Sequence, residues 1–536
     1  PRDWSSDVCS SDLAVLIAKP SMPQGSSRSR AFIETSGIIP VIRIATRSRT
    51  PMSSDRPTKC RVSLDTHAHG VSRTKSPIMR ASGPMAVVVS TAGRISVCRI
   101  SPPMLAAPAT SASVTSASLM QFYRDGLTHK DLAVARNDGD APSTLASASK
   151  VIEADYYTPY LAHATLEPMV CTARWTEDSL EVWASTQNPE STLTAAASTA
   201  DIGQEKVQVF AMQMGGGLGR KSPQDFTRQA VAIAMQVPGK PDKLMWSREE
   251  DMQHDLYRPA SLVRMRASVD DQGKPQALHV RVSAPSLFSQ LLRMPLQNGV
   301  DQQAVACFND HPYAIPHTLV DFAMRTAHVP VGFWRTVGHS QNPFVRECFL
   351  DELAVAAGQD PLAYRLALLP DNEKANRDRA ILQAVAKAAG WQQTLPKGVH
   401  RGIASVDGYG SWTACVCEVS VNARGEVAIH RVVIGIDPGY AVNPDNIQAQ
   451  LQGSVVHGLT AIFWGEMTVK DGRIEQSNFH DYRMMRMNEM PKVETVIAPT
   501  GGFWGGVGEP AQAPLAPALC NALFAATGKR IRSLPL

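Results

Sequence analysis

Gly505-Gly506-Val507-Gly508-Glu509-Pro510 sets one carboxylate behind a run of glycines and in front of a proline. Glycine lets a main chain approach a bulky ligand closely and adopt positive φ. Proline stiffens the exit and donates no hydrogen bond. A glutamate fixed in this way suits a general base, whose position must be right before its pKa matters. The same six residues also read as a surface turn with a solvated Glu, since short motifs produce false matches. A second glycine run, Gly215-Gly216-Gly217-Leu218-Gly219-Arg220, and the segments between the two runs separate these readings.

The second run follows a strand pattern over 207–214 and precedes a helix pattern over 225–236. It is not a P-loop, because Arg220 precedes Lys221, and the dinucleotide spacing fails at Arg220. Its N–H groups are placed to cradle an anion. Upstream, His163 and Glu167 are four apart in His163-Ala164-Thr165-Leu166-Glu167-Pro168. They read as ligands on one helical face or as a tight turn, which Pro168 favours. Ser185-Thr186-Gln187-Asn188-Pro189 closes a strand over 180–184. Arg248-Glu249-Glu250-Asp251 reads as a solvated helix start, and 121–135 as helix-compatible. A hairpin is expected around Asp271-Gln272-Gly273 and another at Asp471-Gly472. Gly358 caps a helix over 344–357, and Asp360-Pro361 opens the next. Strands over 414–421 and 427–436 flank a turn, and Ile447, Leu451, Val455 and Leu459 mark the buried face of a helix over 446–462. Strands and helices in irregular order define an α+β protein.

With 536 residues the chain has room for two or more domains. No apolar run is long enough to span a bilayer. The nine cysteines are scattered and read as core thiols, with no metal-ligating cluster. The net charge of +4 is uneven. Residues 13–118 hold 14 Lys/Arg against 3 Asp/Glu, while 119–536 is net acidic, so the basic balance is no sign of nucleic-acid binding by the globular part. Residues 13–118 also hold 19 serines and one aromatic, Phe32, without sustained strand or helix period. This stretch is expected to be disordered. Other readings are a basic tail or translation in a wrong frame, since residues 1–13 resemble a stretch that recurs at the ends of unrelated reading frames.

From about 121 to 536 the chain resembles the molybdenum-binding large subunits of the xanthine dehydrogenase and aldehyde oxidase family, and within it the isoquinoline 1-oxidoreductase β subunits. The resemblance rests on the segments quoted above together with Trp246 to Asp251, Gly332-Phe333-Trp334-Arg335, Gly338 to Gln341, Asp437 to Pro444, Gln450 to Gly453 and Gln476 to Tyr482. It implies mixed sheets with packed helices in two subdomains, 119–370 and 371–536, the second carrying the Glu509 loop. It implies a molybdopterin cytosine dinucleotide whose own sulfurs hold the metal, so that no side chain need be a ligand. It gives Gln187 an oxo group to bond, lets Gly216, Gly217, Leu218 and Gly219 line the cofactor, and places Arg335, Gln450 and Gly508 beside it. Glu509 becomes the base in an oxidative hydroxylation that takes oxygen from water. The chain carries neither a flavin fingerprint nor iron–sulfur cysteines, so a separate small 2Fe–2S α subunit is implied. The family's usual Phe is Leu218 here, and Ser222 stands where xanthine dehydrogenases carry a substrate-reading Glu. These departures point away from purines and toward an apolar N-heteroaromatic, with aldehydes as the other substrate class. The family's further N-terminal glycine–glutamine loop has no match in 1–118, which leaves a truncated, inactive chain as a rival reading.

Overall fold

The computed structural model describes the strands Met85–Ser90 and Ile95–Arg99 and residues 113–536. Three sheets carry the architecture. The first has six strands, in the order Ile95–Arg99, Met85–Ser90, Pro241–Met245, Val170–Trp175, Leu180–Ala184 and Val207–Ala211. Two of these lie inside the stretch read as lacking strand period. Met85–Ser90 pairs antiparallel with Pro241–Met245, so a short apolar run becomes a strand by completing a ladder begun elsewhere. The remaining expectations for 1–112 lie outside the described residues.

The second sheet orders Ala133–Asp138, His317–Met324, Pro275–Ala284, Ser261–Val269 and Val151–Thr158. Its central hairpin turns at 271–273 as expected, with Gly273 at φ +78. The helix expected over 121–135 is instead Ser116–Gly126, followed by the strand Ala133–Asp138. Thr115 and Ser118 form a reciprocal capping box that fixes the earlier start.

The third sheet orders His400–Gly408, Ser411–Val421, Val427–Asp437 and Lys492–Ile497. Its last two strands are parallel, and the helix Pro444–Phe463 lies in the connection between them. Their C-terminal ends lead directly into residues 438–443 and 498–508. A crevice outside the carboxyl ends of adjacent parallel strands is a favoured ligand position in α/β units.

One apolar core runs through the second sheet, the helix Asn342–Ala356, the third sheet and the helices Pro444–Phe463 and Leu515–Thr527. Gly402 lets the third sheet touch the last helix backbone to backbone, since a Cβ there would stand 2.2 Å from Ala522 N. The helix Asn342–Ala356 also buries Glu347, which accepts from Arg346 Nε (3.0 Å), Arg365 Nε (2.9 Å) and the Tyr313 hydroxyl (2.9 Å). A charge so enclosed is tolerable only because its partners are present. The six cysteines within residues 113–536 are free and buried. Among the described residues no helix is long and apolar enough to cross a membrane.

Candidate active site

The Glu509 loop is held at Gly505, Gly506 and Gly508 before its carboxylate. Gly505 donates its N–H to Pro438 O (2.9 Å) and Gly506 to Tyr409 O (2.7 Å). The Ser411 hydroxyl donates to Gly506 O (2.7 Å). A Cβ on Gly505 would lie 2.3 Å from Gly410 O, so only glycine permits this approach. Asp437 locks the two loops together. Its Oδ1 accepts from Gly439 N (2.9 Å) and Thr500 N (3.1 Å), and its Oδ2 from Thr500 Oγ1 (2.6 Å) and Arg377 Nε (2.8 Å). Burial pushes this carboxyl up, but Arg377, Thr500 and the main-chain donors together hold it below the usual carboxylate range. Glu509 itself is 8% exposed and precedes the single 3-10 turn Pro510–Gln512.

Arg335 reaches this loop from the segment that follows His317–Met324 of the second sheet. Its Nε (3.0 Å) and Nη2 (2.5 Å) both donate to Gly508 O, and Nη2 also meets Gln450 Oε1 (2.9 Å) and Ser454 Oγ (3.2 Å). Burial pulls its pKa down to about 10, opposed by the charge of Glu509, so it stays cationic at neutral pH. Four of the expected residues, Arg335, Gln450, Gly508 and Glu509, therefore share one cluster. Arg335 spends Nε and Nη2 on the protein, which makes it a brace for the carboxylate loop. Gly508 has nothing within 4 Å of where a Cβ would be. Gly508→Ala should thus change stability by less than ~0.5 kcal/mol, read as a shift in urea midpoint, and any larger loss of bound cofactor would come from the space it fills.

The other expected residues form a second cluster. Gln187 Oε1 accepts from Gly219 N (3.0 Å) and Lys221 N (3.3 Å), which fixes the orientation of its amide. Gly216 (φ +99), Leu218 (φ +53) and Gly219 (φ +102) are left-handed, whereas Gly217 is not. Glycine at 217 is needed for a different reason: a Cβ there would lie 2.4 Å from Gln187 Oε1. Left-handed Leu218 costs about 1 kcal/mol, the kind of strain that gathers at ligand sites. Lys221, fully buried, pairs with Glu167 and Ser185 Oγ (3.0 Å).

His163 and Glu167 do not share a helix face. The segment is the tight turn, with Ala164 at φ +50. His163 faces Asp255 and Phe333 O, while Glu167 faces Lys221 and Gly215 N (2.9 Å). The expectation of a solvated helix start at Arg248–Asp251 holds in part: the helix Arg248–Gln253 does start there and Glu249 is exposed, but the other three charges are not. Arg248 donates to Thr165 O and Leu166 O and lies over the Phe479 ring, and Asp251 is buried. Arg248 looks solvated in sequence because its main-chain acceptors lie more than 80 residues away. Two residues without any motif to announce them also organise the site. Asp255 pairs with His163 and Arg220, and His457 stacks on Trp334 (4.4 Å between centroids) and bonds Gln512 Oε1 (3.0 Å).

Burial and then the charge of Arg335 pull the pKa of His457 down to about 3. The unfolded chain therefore binds this proton first. The stability that neutral His457 contributes is complete above pH ~6.5 and is lost as pH falls toward its folded pKa. Between pH 6.5 and 5 the loss should be about 2 kcal/mol. His457→Gln removes this slope, so the unfolding free energy of wild type relative to the variant should fall by that amount over the same window. A difference independent of pH would place the ring in contact with water.

The chain matches the molybdopterin cofactor-binding domain family over residues 126–368 and again over 373–491. It belongs to the molybdopterin-binding large subunits of the xanthine dehydrogenase and aldehyde oxidase family. It is 30% identical to the B subunit of nicotinate dehydrogenase from Pseudomonas putida over 75% of this chain and 35% of that one. It is 29% identical to the beta subunit of isoquinoline 1-oxidoreductase from Brevundimonas diminuta over 67% of this chain and 46% of that one. The chain thus spans less than half the length of these two relatives. Among solved structures, quinoline 2-oxidoreductase from Pseudomonas putida 86 has the same fold, with a TM-score of 0.67 at 12% identity, covering 82% of this chain and 81% of that one.

The residues present fit a pterin-type group. Among the described residues, the main-chain N–H groups of Gly216, Gly217 and Leu218 donate to no protein acceptor. Gln187 and Gln450 each have the carbonyl end pinned and the amide NH2 without a protein acceptor. Five such donors suit an anionic, oxygen-rich ligand. Among the described residues there is no group of three His, Cys, Asp or Glu side chains able to hold a metal ion.

Proposed function

We propose that this chain is a catalytic segment of a molybdenum hydroxylase that oxidises a ring carbon of an N-heteroaromatic compound, taking oxygen from water. The convergence of Arg335, Gln450, Gly508 and Glu509 at one buried point carries this reading. A molybdopterin cytosine dinucleotide would lie between the glycine loop and the Gln450 helix, held by the N–H groups of 216–218 and the amides of Gln187 and Gln450. When bound, it supplies the redox chemistry and the activation of water. The protein's part is proton transfer and exclusion of water. Glu509 takes the proton from the activated water. Arg335 fixes the main chain at Gly508 and sets a positive charge close to Glu509. A separate 2Fe–2S subunit would carry electrons away.

Relatives named for nicotinate and for isoquinoline support a nitrogen heterocycle as substrate. One experiment tests both cofactor and substrate class. Molybdenum and pterin are measured per chain after co-expression with an iron–sulfur partner, and turnover of isoquinoline is compared with turnover of benzaldehyde. Molybdenum near one per chain and preference for the heterocycle are expected. Preference for the aldehyde would move the assignment to an aldehyde dehydrogenase. Absence of both metal and pterin would make this chain an inactive fragment.

A further inference from the structure

We propose that His163 and Asp255 are positioning residues that lock the 332–336 strap onto the glycine loop, and so set the width of the seat between Gln187 and Arg335. The proposal rests on the reading of that seat as a cofactor site. The two walls of the seat come from different sheets. The glycine loop follows Val207–Ala211 of the six-stranded sheet, and the strap follows His317–Met324 of the five-stranded sheet. No ladder joins those two strands, so their spacing has to be fixed by something else.

The contact is one carbonyl wide. A Cβ on Gly219 would stand 1.7 Å from Phe333 O, and His163 Nε2 donates to that same oxygen from 2.6 Å. Phe333 O is thus gripped between the glycine loop and the imidazole. The imidazole is itself held by Asp255. One carboxylate oxygen accepts the His163 main-chain N–H (2.6 Å), and both lie 3.0 Å from Nδ1. A carboxylate and a carbonyl are both acceptors, so both ring nitrogens donate. Asp255 Oδ1 also lies 2.9 Å from Arg220 Nε, an ion pair without hydrogen-bonding geometry, and Arg220 directly follows Gly219. One carboxylate, 1% exposed, therefore grips the loop through Arg220 and the strap through His163. On the other side of Phe333, Trp334 Nε1 donates to Ala162 O (3.1 Å), the residue before His163. Arg335 comes next and carries the position of the strap to Gly508 O.

A buried histidine with both nitrogens satisfied is most often plain structure. What distinguishes this one is its partner, a main-chain oxygen beside Arg335 and against Gly219, about 170 residues away in sequence. The test compares three variants of the full chain. His163→Phe keeps the ring shape and removes both donors. Asp255→Asn keeps the shape and an acceptor oxygen but removes the charge. Tyr482→Phe is the control, because it deletes a hydroxyl from the same buried cluster (Tyr482 Oη to Ala162 O, 3.4 Å) and removes none of the bonds among His163, Asp255 and Phe333 O. Hydrogen exchange of 213–224 and 332–341 is measured on chain without cofactor, and bound pterin on co-expressed chain by its fluorescence after oxidation.

His163→Phe should speed exchange in both segments by about tenfold, as expected for loss of one or two buried hydrogen bonds, and lower bound pterin by at least as much. Tyr482→Phe should change neither by more than about twofold. Should His163→Phe fail to fold, Asp255→Asn carries the test, with about threefold effects expected. Exchange in 332–341 no faster than in the control would overturn the clamp. Faster exchange with undiminished pterin would overturn its role toward the cofactor. Wild-type chain that binds no pterin would remove the cofactor reading, and with it the role in shaping a cofactor seat, while the exchange data would still decide whether the two walls are clamped.

Discussion

Glu509→Gln should leave the chain folded and pterin bound, and lower turnover of an N-heterocycle by ~10²–10⁴-fold. The amide has the shape of the carboxylate. The anchors of the loop are main-chain groups and other side chains: Gly505 N to Pro438 O, Gly506 N to Tyr409 O, and Gly508 O to Arg335. None of these is altered by the change. Gln cannot accept the proton, however, and the buried Arg335 beside it would lose the charge that partly offsets its desolvation. The loss should fall on kcat, because the interaction develops only as the proton moves. Turnover is measured at matched molybdenum content with the iron–sulfur partner present. A variant that keeps a tenth of the wild-type rate would remove Glu509 from the role of base.

Gly219→Ala should be the most damaging of the glycine substitutions. The backbone there stands at φ +102, which an L side chain adopts only under strain. The added carbon would stand 1.7 Å from Phe333 O, and that oxygen is main chain and fixed by His163. Strain and overlap together should cost ~2–4 kcal/mol and abolish pterin retention. Gly217→Ala meets a side chain, Gln187, and no main chain, so its cost should be smaller and its effect should fall mainly on the cofactor. Urea unfolding midpoints of the two variants check the order. A Gly219→Ala chain as stable as wild type would mean that loop and strap are not in contact.

Much of the fold was legible because local chemistry and tertiary structure agree. Asp360 caps the helix Pro361–Leu368 with its own carboxylate, bonding Leu362 N and Ala363 N, and Gly358 closes the helix before it at φ +65. Asp471-Gly472 turns the short pair Val469–Lys470 and Arg473–Ile474. Strands buried on both faces were harder to see. His400–Gly408 shows an unbroken buried run from Gly402 to Val406 and no alternation, because helices cover one side and the core the other. Lys492–Ile497 mixes charged and β-branched residues at an edge, and only its parallel neighbour makes it a strand. The site divides in the same way. Gln187, the glycines and Glu509 sit in runs whose composition marks them. Asp255 and His457 do not, since their importance lies in partners 35 to 123 residues away.

The two family-matched stretches are separated only at 369–372, where Asp371 and Asn372 are exposed at the surface. Beneath that short connection the apolar core continues without a break, from Ala154 and Tyr156 in the first stretch to Ile434, Leu451 and Leu459 in the second. The two stretches are therefore halves of one solid and not beads on a string. A backbone cut at 371 would sever a covalent link and little else. The fragments would share an interior that neither can complete alone, and they would have to fold, survive and be degraded as a pair.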